Sequence, residues 1–223
     1  MTTPFLKCVL AIVAKDLRAE MRSRELLSVM ALFALLSILV FSFALELDRA
    51  ARAEAVSGVL WVTLIFASLL GLNRSLAQES DQGNLDALLL APVSRSAIFV
   101  GKFAGNSIFT GIVGLLLLPL MTVLYSMQML DIRVIFTTLV GIVGFCSIGT
   151  LLATMTVHTR AREALLPIAL LPVALPFLLT AVRATKGVLN GAPDWQVWLQ
   201  LLAGITVIYV ALCLLLYGFV VEE

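Results

Sequence analysis

Residues 79–95 read ESDQGNLDALLLAPVSR, and this charged stretch separates two long apolar runs. The run before it, 55–73, and the run after it, 103–130, contain no Asp, Glu, Lys, Arg or His. A helix of about 20 apolar residues spans the hydrocarbon core of a bilayer, so each run is long enough to cross a membrane. The charged stretch is therefore predicted to connect two transmembrane helices outside the bilayer.

The same criterion, applied outward along the chain, gives six apolar runs: 26–45, 55–73, 103–130, 134–157, 164–182 and 195–221. Hydrophobic residues make up 61% of the chain and charged residues 13%, whereas soluble domains carry roughly 25% charged residues. We expect an all-α integral membrane protein with one transmembrane domain over 1–223. The net charge of +1 argues against a nucleic-acid partner, because such a partner requires a basic face.

Lys and Arg residues concentrate on one side of the predicted membrane protein. Ten of the fifteen lie before the first run or in the second and fourth connections. Cytoplasmic loops carry the excess of basic residues. Both termini are therefore expected in the cytoplasm.

Residues 5–24 have the pattern of an amphipathic helix. Six apolar residues share one face at helical spacing, and four basic residues share another: Leu6, Val9, Leu10, Val13, Leu17, Met21 and Lys7, Lys15, Arg18, Arg22. Charged residues interrupt the stretch too often for a signal peptide. The pattern predicts an interfacial helix on the inner leaflet, anchored to the membrane surface by its basic side chains.

Prolines and glycines mark three of the predicted spans. Pro167, Pro172 and Pro176 lie within 164–182, and each removes a backbone donor, so we predict a kinked or broken helix there. Small residues allow helices to approach closely. In the third span Gly101 and Gly105 stand one turn apart, and the fourth span contains Gly141, Gly144 and Gly149.

Residues 84–91 have the signals of a short cytoplasmic helix. Gly83 can end the preceding helix, Asn84 is a good N-cap and Pro92 ends the element. Three leucines share one face, and three carboxylates surround it: Leu85, Leu88, Leu89 and Glu79, Asp81, Asp86. This shape suits docking into a groove on a soluble partner. A loop that rests on lipid is the alternative.

The chain lacks the motifs of a nucleotide-binding, metal-binding or catalytic protein. Gly101-Lys102 has neither the earlier glycine nor the following hydroxyl of a phosphate-binding loop, so the chain is not expected to bind ATP. Cys8, Cys146 and Cys213 are far apart, and we interpret them as small apolar residues rather than metal ligands.

Two stretches resemble the membrane subunits of ABC-2-type transporters, and most closely the haem exporter protein B family. In GVLWVTLIFASLLGLNRSLAQESDQGNLDALLLAPVSR (58–95), the matching positions are Gly58 to Trp61, Arg74, Glu79, Asp81, Gly83, Leu85, Asp86, Leu88 to Leu90 and Pro92. LLPIALLPVALP (165–176) is similar to the family's proline-rich fifth span. TRAREALL (159–166) departs from the family, in which many members carry glycines there.

This resemblance implies the ABC-2-type permease fold and a role in cytochrome c maturation in a bacterial inner membrane. It implies that 84–91 is a coupling helix that seats in a separate ATP-binding subunit. The other implied partners are a second copy of the chain, a haem-handling membrane protein and a haem chaperone. No cofactor is expected to bind firmly. Haem either passes through the chain, or the ATP cycle releases a haem-loaded chaperone.

Two features could suggest haem binding, but each has a simpler interpretation. His158, the only histidine, falls at the cytoplasmic end of the fourth span, so a loop residue is favoured over an iron ligand. Trp195 and Trp198 begin the sixth span, where an aromatic belt is typical.

Two other functions stay open. One is a generic ABC-2 permease that exports a lipid or polysaccharide. The other is a membrane scaffold without ATP coupling, which would have no need for the element at 79–92.

Overall fold

The computed structural model describes residues 5–44, 49–81, 93–156 and 162–220. In these ranges the regular elements are seven α-helices: α1 (Phe5–Ser23), α2 (Glu25–Ala44), α3 (Arg49–Asp81), α4 (Arg95–Tyr125), α5 (Ile132–Thr156), α6 (Arg162–Leu189) and α7 (Trp195–Val220). Helices α2 to α7 each contain a stretch long and apolar enough to cross a membrane. The predicted all-α membrane protein with six spans is confirmed.

Consecutive spans run in opposite directions, which gives the bundle two ends. At the proximal end, where α4 begins and α7 finishes, Arg95 Nη1 donates a hydrogen bond to the Gly218 carbonyl at 3.3 Å. At the distal end, where α3 begins and α6 finishes, Lys186 forms an ion pair with Glu54. Helix α1 also lies at the proximal end, so both termini of the described chain are on the same side of the bundle.

Helices α3 and α5 form the centre of the bundle. In their most apolar 18-residue windows 72% of the residues are buried, against 22% in α2 and 17% in α7. The apolar side chains of the two peripheral helices point outward, as expected where lipid is the solvent. Examples are Leu36, Val40, Val207 and Leu215.

Trp61, the last residue of the GVLW stretch, joins the central helix α3 to α5 and α6. Its Nε1 donates a hydrogen bond to Thr185 Oγ1 at 3.0 Å, and its ring meets the edge of Phe177 at 6.1 Å between centroids. A Cβ at Gly141 would overlap the indole ring, so α5 needs a glycine at that position. The hydrogen bond to Thr185 satisfies the N–H donor of the buried Trp61 indole.

Two further glycines of α5 also allow close approach. A Cβ at Gly144 would lie 2.6 Å from the Phe177 ring, and one at Gly149 would lie 2.5 Å from Leu72 Cδ1. The predicted close packing of the fourth span is confirmed.

Helix α4 is displaced from the predicted span 103–130. It begins at Arg95 and ends at Tyr125, because Ser126 adopts the left-handed conformation with φ 54°. Ser94 is the N-cap residue, although its side chain makes no capping hydrogen bond. Lys102 therefore lies inside a helix rather than in a connection.

The prolines of α6 were predicted to kink or break it; the helix is continuous, which excludes the break. The helix runs from Arg162 to Leu189 with three prolines inside it: Pro167, Pro172 and Pro176. Tyr209 Oη of α7 donates a hydrogen bond to the Val173 carbonyl at 2.9 Å, which joins α7 to α6 between the second and third prolines.

Candidate functional site

The start of α4 offers a groove in which α1 packs. A Cβ at Gly101 would lie 2.8 Å from Ile12 Cβ, and one at Gly105 would lie 3.6 Å from Asp16 Oδ2. Gly101 thus lets the helices approach closely, as predicted, whereas a Cβ at Gly105 would make ordinary van der Waals contact. Any side chain at Gly101 would displace α1, since the nearest atom is the branched Cβ of Ile12.

Lys102, between these glycines, forms a buried ion pair with α1. Its Nζ lies 2.9 Å from Asp16 Oδ2 and 3.2 Å from Oδ1, and the two side chains are only 7% and 14% exposed. Lys15 Nζ also lies 3.2 Å from Asp16 Oδ1. Removing one partner of a buried pair costs about 3–5 kcal/mol, because the other charge stays buried.

Glu20 is a buried carboxylate of α1, and it caps α2. Its Oε1 accepts a hydrogen bond from Leu27 N at 2.8 Å, and its Oε2 accepts one from Leu26 N at 3.3 Å. Arg24, with φ 55°, is the one residue between the two helices. A carboxylate at a helix N-terminus satisfies free N–H groups and complements the helix dipole. The result is a sharp elbow between α1 and α2.

Helix α3 joins the same region through an ion pair with α2. Arg74 Nη2 lies 2.6 Å from Glu25 Oε2, and both side chains are exposed. We call the joined ends of α1 to α4 the proximal platform, defined by Asp16–Lys102, Glu20 and Glu25–Arg74. The exposed pair adds little stability by itself, whereas the buried carboxylates determine the geometry.

Polar side chains of α4 continue from the platform into the bundle at four-residue spacing. Asn106 Nδ2 donates a hydrogen bond to Thr150 Oγ1 of α5 at 3.0 Å. Thr110 Oγ1 donates one to Ser68 Oγ of α3 at 3.1 Å. Buried and hydrogen-bonded, these groups join α4 to both central helices.

Helix α1 presents three faces, where the sequence predicted two. The first packs on the bundle and holds Val9, Ile12, Asp16 and Glu20. The second is apolar and exposed, with Leu6 68%, Leu10 60% and Met21 76% exposed. The third is basic and exposed, with Lys7, Lys15, Arg18 and Arg22. The prediction that Val9 shares a single apolar face with Leu6 and Leu10 was wrong, because Val9 contacts protein.

At the distal end, two arginines lie over the two tryptophans of α7. Arg133 Cζ lies 5.7 Å from the Trp195 ring centre, and Arg183 Cζ lies 4.8 Å from that of Trp198. Such cation–π contacts stabilise both partners. Hydrogen bonds from the side chain and backbone of Arg133 also hold the pKa of Asp131 below its usual value. Both tryptophans thus have structural roles within this bundle.

Several predicted site residues fall outside the described part of the chain. These include His158, the helix at 84–91 and its residues Gly83, Leu85, Asp86, Leu88, Leu89 and Pro92. The backbone of α3 extends to Asp81, which brings the positions of Glu79 and Asp81 to its proximal end.

Sequence reasoning missed the platform residues Asp16, Glu20 and Lys102. It treated the two carboxylates only as interruptions of an apolar stretch, and Lys102 as part of a connection. The available signal was their spacing, since Val9, Ile12, Asp16 and Glu20 lie on one helical face.

The model of the CcmB protein family matches residues 7–221. The chain belongs to the CcmB protein family. Among its CcmB relatives, heme exporter protein B of Rhodobacter capsulatus is 30% identical over 205 residues, which cover 91% of this chain and 93% of that protein. The heme exporter protein B of Paracoccus denitrificans is 26% identical over 203 residues, covering 91% and 93%. That of Bradyrhizobium diazoefficiens is 22% identical over 199 residues, covering 89% and 90%. The resemblance drawn from the two quoted stretches is confirmed.

Proposed function

We propose that this chain is the membrane subunit of the ABC transporter for cytochrome c maturation in a bacterial inner membrane. It couples ATP hydrolysis by a separate subunit to haem handling outside the cytoplasm. The observation that carries this function is the CcmB family match across residues 7–221, together with relatives that are named heme exporter protein B over nine tenths of the chain. The chain serves as a permease and not as an enzyme.

The helix proposed at 84–91 is the coupling element. It follows α3, which ends at Asp81, and precedes α4, which begins at Arg95. Its leucines Leu85, Leu88 and Leu89 bury in a cleft of the ATPase subunit, Gly83 and Pro92 delimit it, and Glu79, Asp81 and Asp86 meet basic groups of the partner. A force applied there would reach the ends of both α3 and α4, which belong to the proximal platform.

Helix α1 attaches the platform to the membrane surface. Its exposed apolar face can insert among lipid tails beside the bundle, and its basic face can contact anionic headgroups: Lys7, Lys15, Arg18 and Arg22. Apolar area and basic charge together determine how strongly such helices bind membranes. The proximal end is then cytoplasmic, with both termini on that side, as the distribution of Lys and Arg predicts.

ATP-driven release of a haem-loaded chaperone is the favoured mechanism. Among the residues whose burial the structure describes, the buried charged side chains are Glu20 and Lys102. Glu20 is hydrogen-bonded at the elbow and Lys102 is paired with Asp16, so neither lines a path for the two propionates of haem. The transporter would then contain two copies of this chain, the ATPase, a haem-handling membrane protein and the chaperone.

The Leu88→Asp/Leu89→Asp variant tests the coupling helix. Burying a leucine stabilises a complex by about 1.5–3 kcal/mol, so we expect the amount of ATPase that co-purifies with the chain to fall about tenfold or more. The matched control is Gln78→Asp/Gln82→Asp, which adds the same two charges nearby and keeps the leucines. ATPase recovered at the control level with the leucine variant would refute the coupling helix.

A further inference from the structure

Helix α1 is held to α4 more firmly than an interfacial anchor requires. A helix that only rests on lipid could pack on the bundle through apolar side chains. Here Lys102 contacts both oxygens of Asp16, at 2.9 and 3.2 Å, and Gly101 and Gly105 lie on either side of it. The ion pair and the tight contact of Gly101 with Ile12 thus occur at one place, which fixes both the position and the register of α1 along α4.

The contact continues into rigid elements in both directions. Helix α4 is uninterrupted from Arg95 to Lys102, about two helical turns. On α1, Glu20 follows Asp16 by about one turn and holds the backbone N–H groups of Leu26 and Leu27. A movement of the start of α4 can therefore be transmitted through α1 to α2.

We propose that Asp16 and Lys102 are positioning residues that keep α1 and the start of α4 together as one rigid body throughout the ATP cycle. Displacement of α4 by the coupling segment then moves α1 and the elbow with it, so that the first span follows the third. This inference rests on the proposed function, which supplies the ATP cycle from a separate subunit.

The geometry allows the ion pair to be replaced by a covalent bond. A Cβ at Gly105 would lie 3.9 Å from Asp16 Cβ, within the range of about 3.5–4.5 Å found in disulfides. The test variant is Asp16→Cys/Gly105→Cys with Lys102→Met, which removes the buried ammonium that Asp16 neutralises. Cys8→Ala removes the half-buried native thiol of α1, while Cys146 and Cys213 are buried.

Cross-linking in membranes tests whether the two helices stay together. Inner-membrane vesicles that hold the full complex are treated with a mild oxidant, without nucleotide and with the ATPase trapped by ATP and vanadate. Alkylation of the remaining thiols measures the disulfide yield, and variants with only one of the two introduced cysteines give the background. We expect equal yields in the two nucleotide states. A yield at background in either state would overturn the rigid body.

A second readout separates positioning from simple stabilisation: the amount of haem-loaded chaperone released per ATP hydrolysed. We expect the oxidised vesicles to show the wild-type ratio and the reduced vesicles a ratio lower by roughly fivefold or more, with ATP turnover retained. A pair that only stabilises the fold would instead lower complex yield and ATP turnover and leave the ratio unchanged, which would contradict the proposal.

The reverse effect of oxidation on release of the haem-loaded chaperone would contradict the proposal. If oxidised vesicles lose release and reduced vesicles retain it, α1 must move against α4, and the proposal is wrong. Absence of ATP-dependent release in wild-type vesicles would refute the proposed function instead. The cross-linking yields in the two nucleotide states would still decide whether α1 and α4 stay together.

Discussion

Glu20 Oε1 accepts a hydrogen bond from the backbone N–H of Leu27 at 2.8 Å, so a buried carboxylate of α1 caps the helix that follows it. Replacing Glu20 with Ala removes this cap and leaves buried N–H groups unpaired. We expect the free energy of unfolding to fall by about 2 kcal/mol, measured by denaturation of the purified chain in detergent. The control is Glu25→Ala at the exposed start of α2, with an expected loss below about 1 kcal/mol. Equal losses would contradict the capping role.

Gly141→Ala should destabilise the bundle, because a Cβ there overlaps the ring of Trp61. Overpacking of this kind costs about 1–3 kcal/mol. Gly58→Ala in α3 is the matched control, since a Cβ at Gly58 has no atom within 4 Å. That control should leave stability unchanged or raise it by up to about 1 kcal/mol, because alanine favours helices. A loss of melting temperature in Gly141→Ala no larger than that in Gly58→Ala would argue against the Trp61 contact.

Thiol labelling tests the proposed orientation. In a Cys8→Ala background, a cysteine at Ala50 should react with a membrane-impermeant reagent added to intact cells. A cysteine at Gln82 should react only after the membrane is opened, because the connection after α3 is proposed to be cytoplasmic. Labelling of Gln82→Cys from outside would show the opposite orientation, in which 84–91 could not contact a cytoplasmic ATPase.

The number of spans could be predicted from the sequence because charges are excluded from the bilayer core unless they are paired. The limits of the helices could not be predicted in this way, because a helix can include a charged residue that pairs with another helix. Lys102 lies within α4 and pairs with Asp16, and α3 continues past Arg74, which pairs with Glu25. A criterion based on charge-free runs ends each span at the first charge and cannot recognise a partner that is distant in sequence.

The platform was harder to predict than the spans. The close-packing role of Gly101 could be predicted from its spacing to Gly105, but the helix that packs there could not. Ile12 and Asp16 of α1 occupy it, and that requires the tertiary arrangement. The prolines of α6 show the converse, since each removes a backbone donor, yet the helix continues past all three.

Holocytochrome c yield, measured together with ATP turnover at matched expression, tests the central claim most directly. The claim is that the chain transmits ATP-driven movement and does not ligate haem. Neutralising the proposed docking carboxylates in Glu79→Gln/Asp81→Asn should remove charge-assisted contacts, which contribute about 1.5–3 kcal/mol each. Cytochrome yield should then fall about tenfold or more, while His158→Ala should leave both quantities unchanged. If His158→Ala instead abolishes cytochrome maturation while ATP turnover stays normal, the claim is contradicted and this chain ligates haem directly.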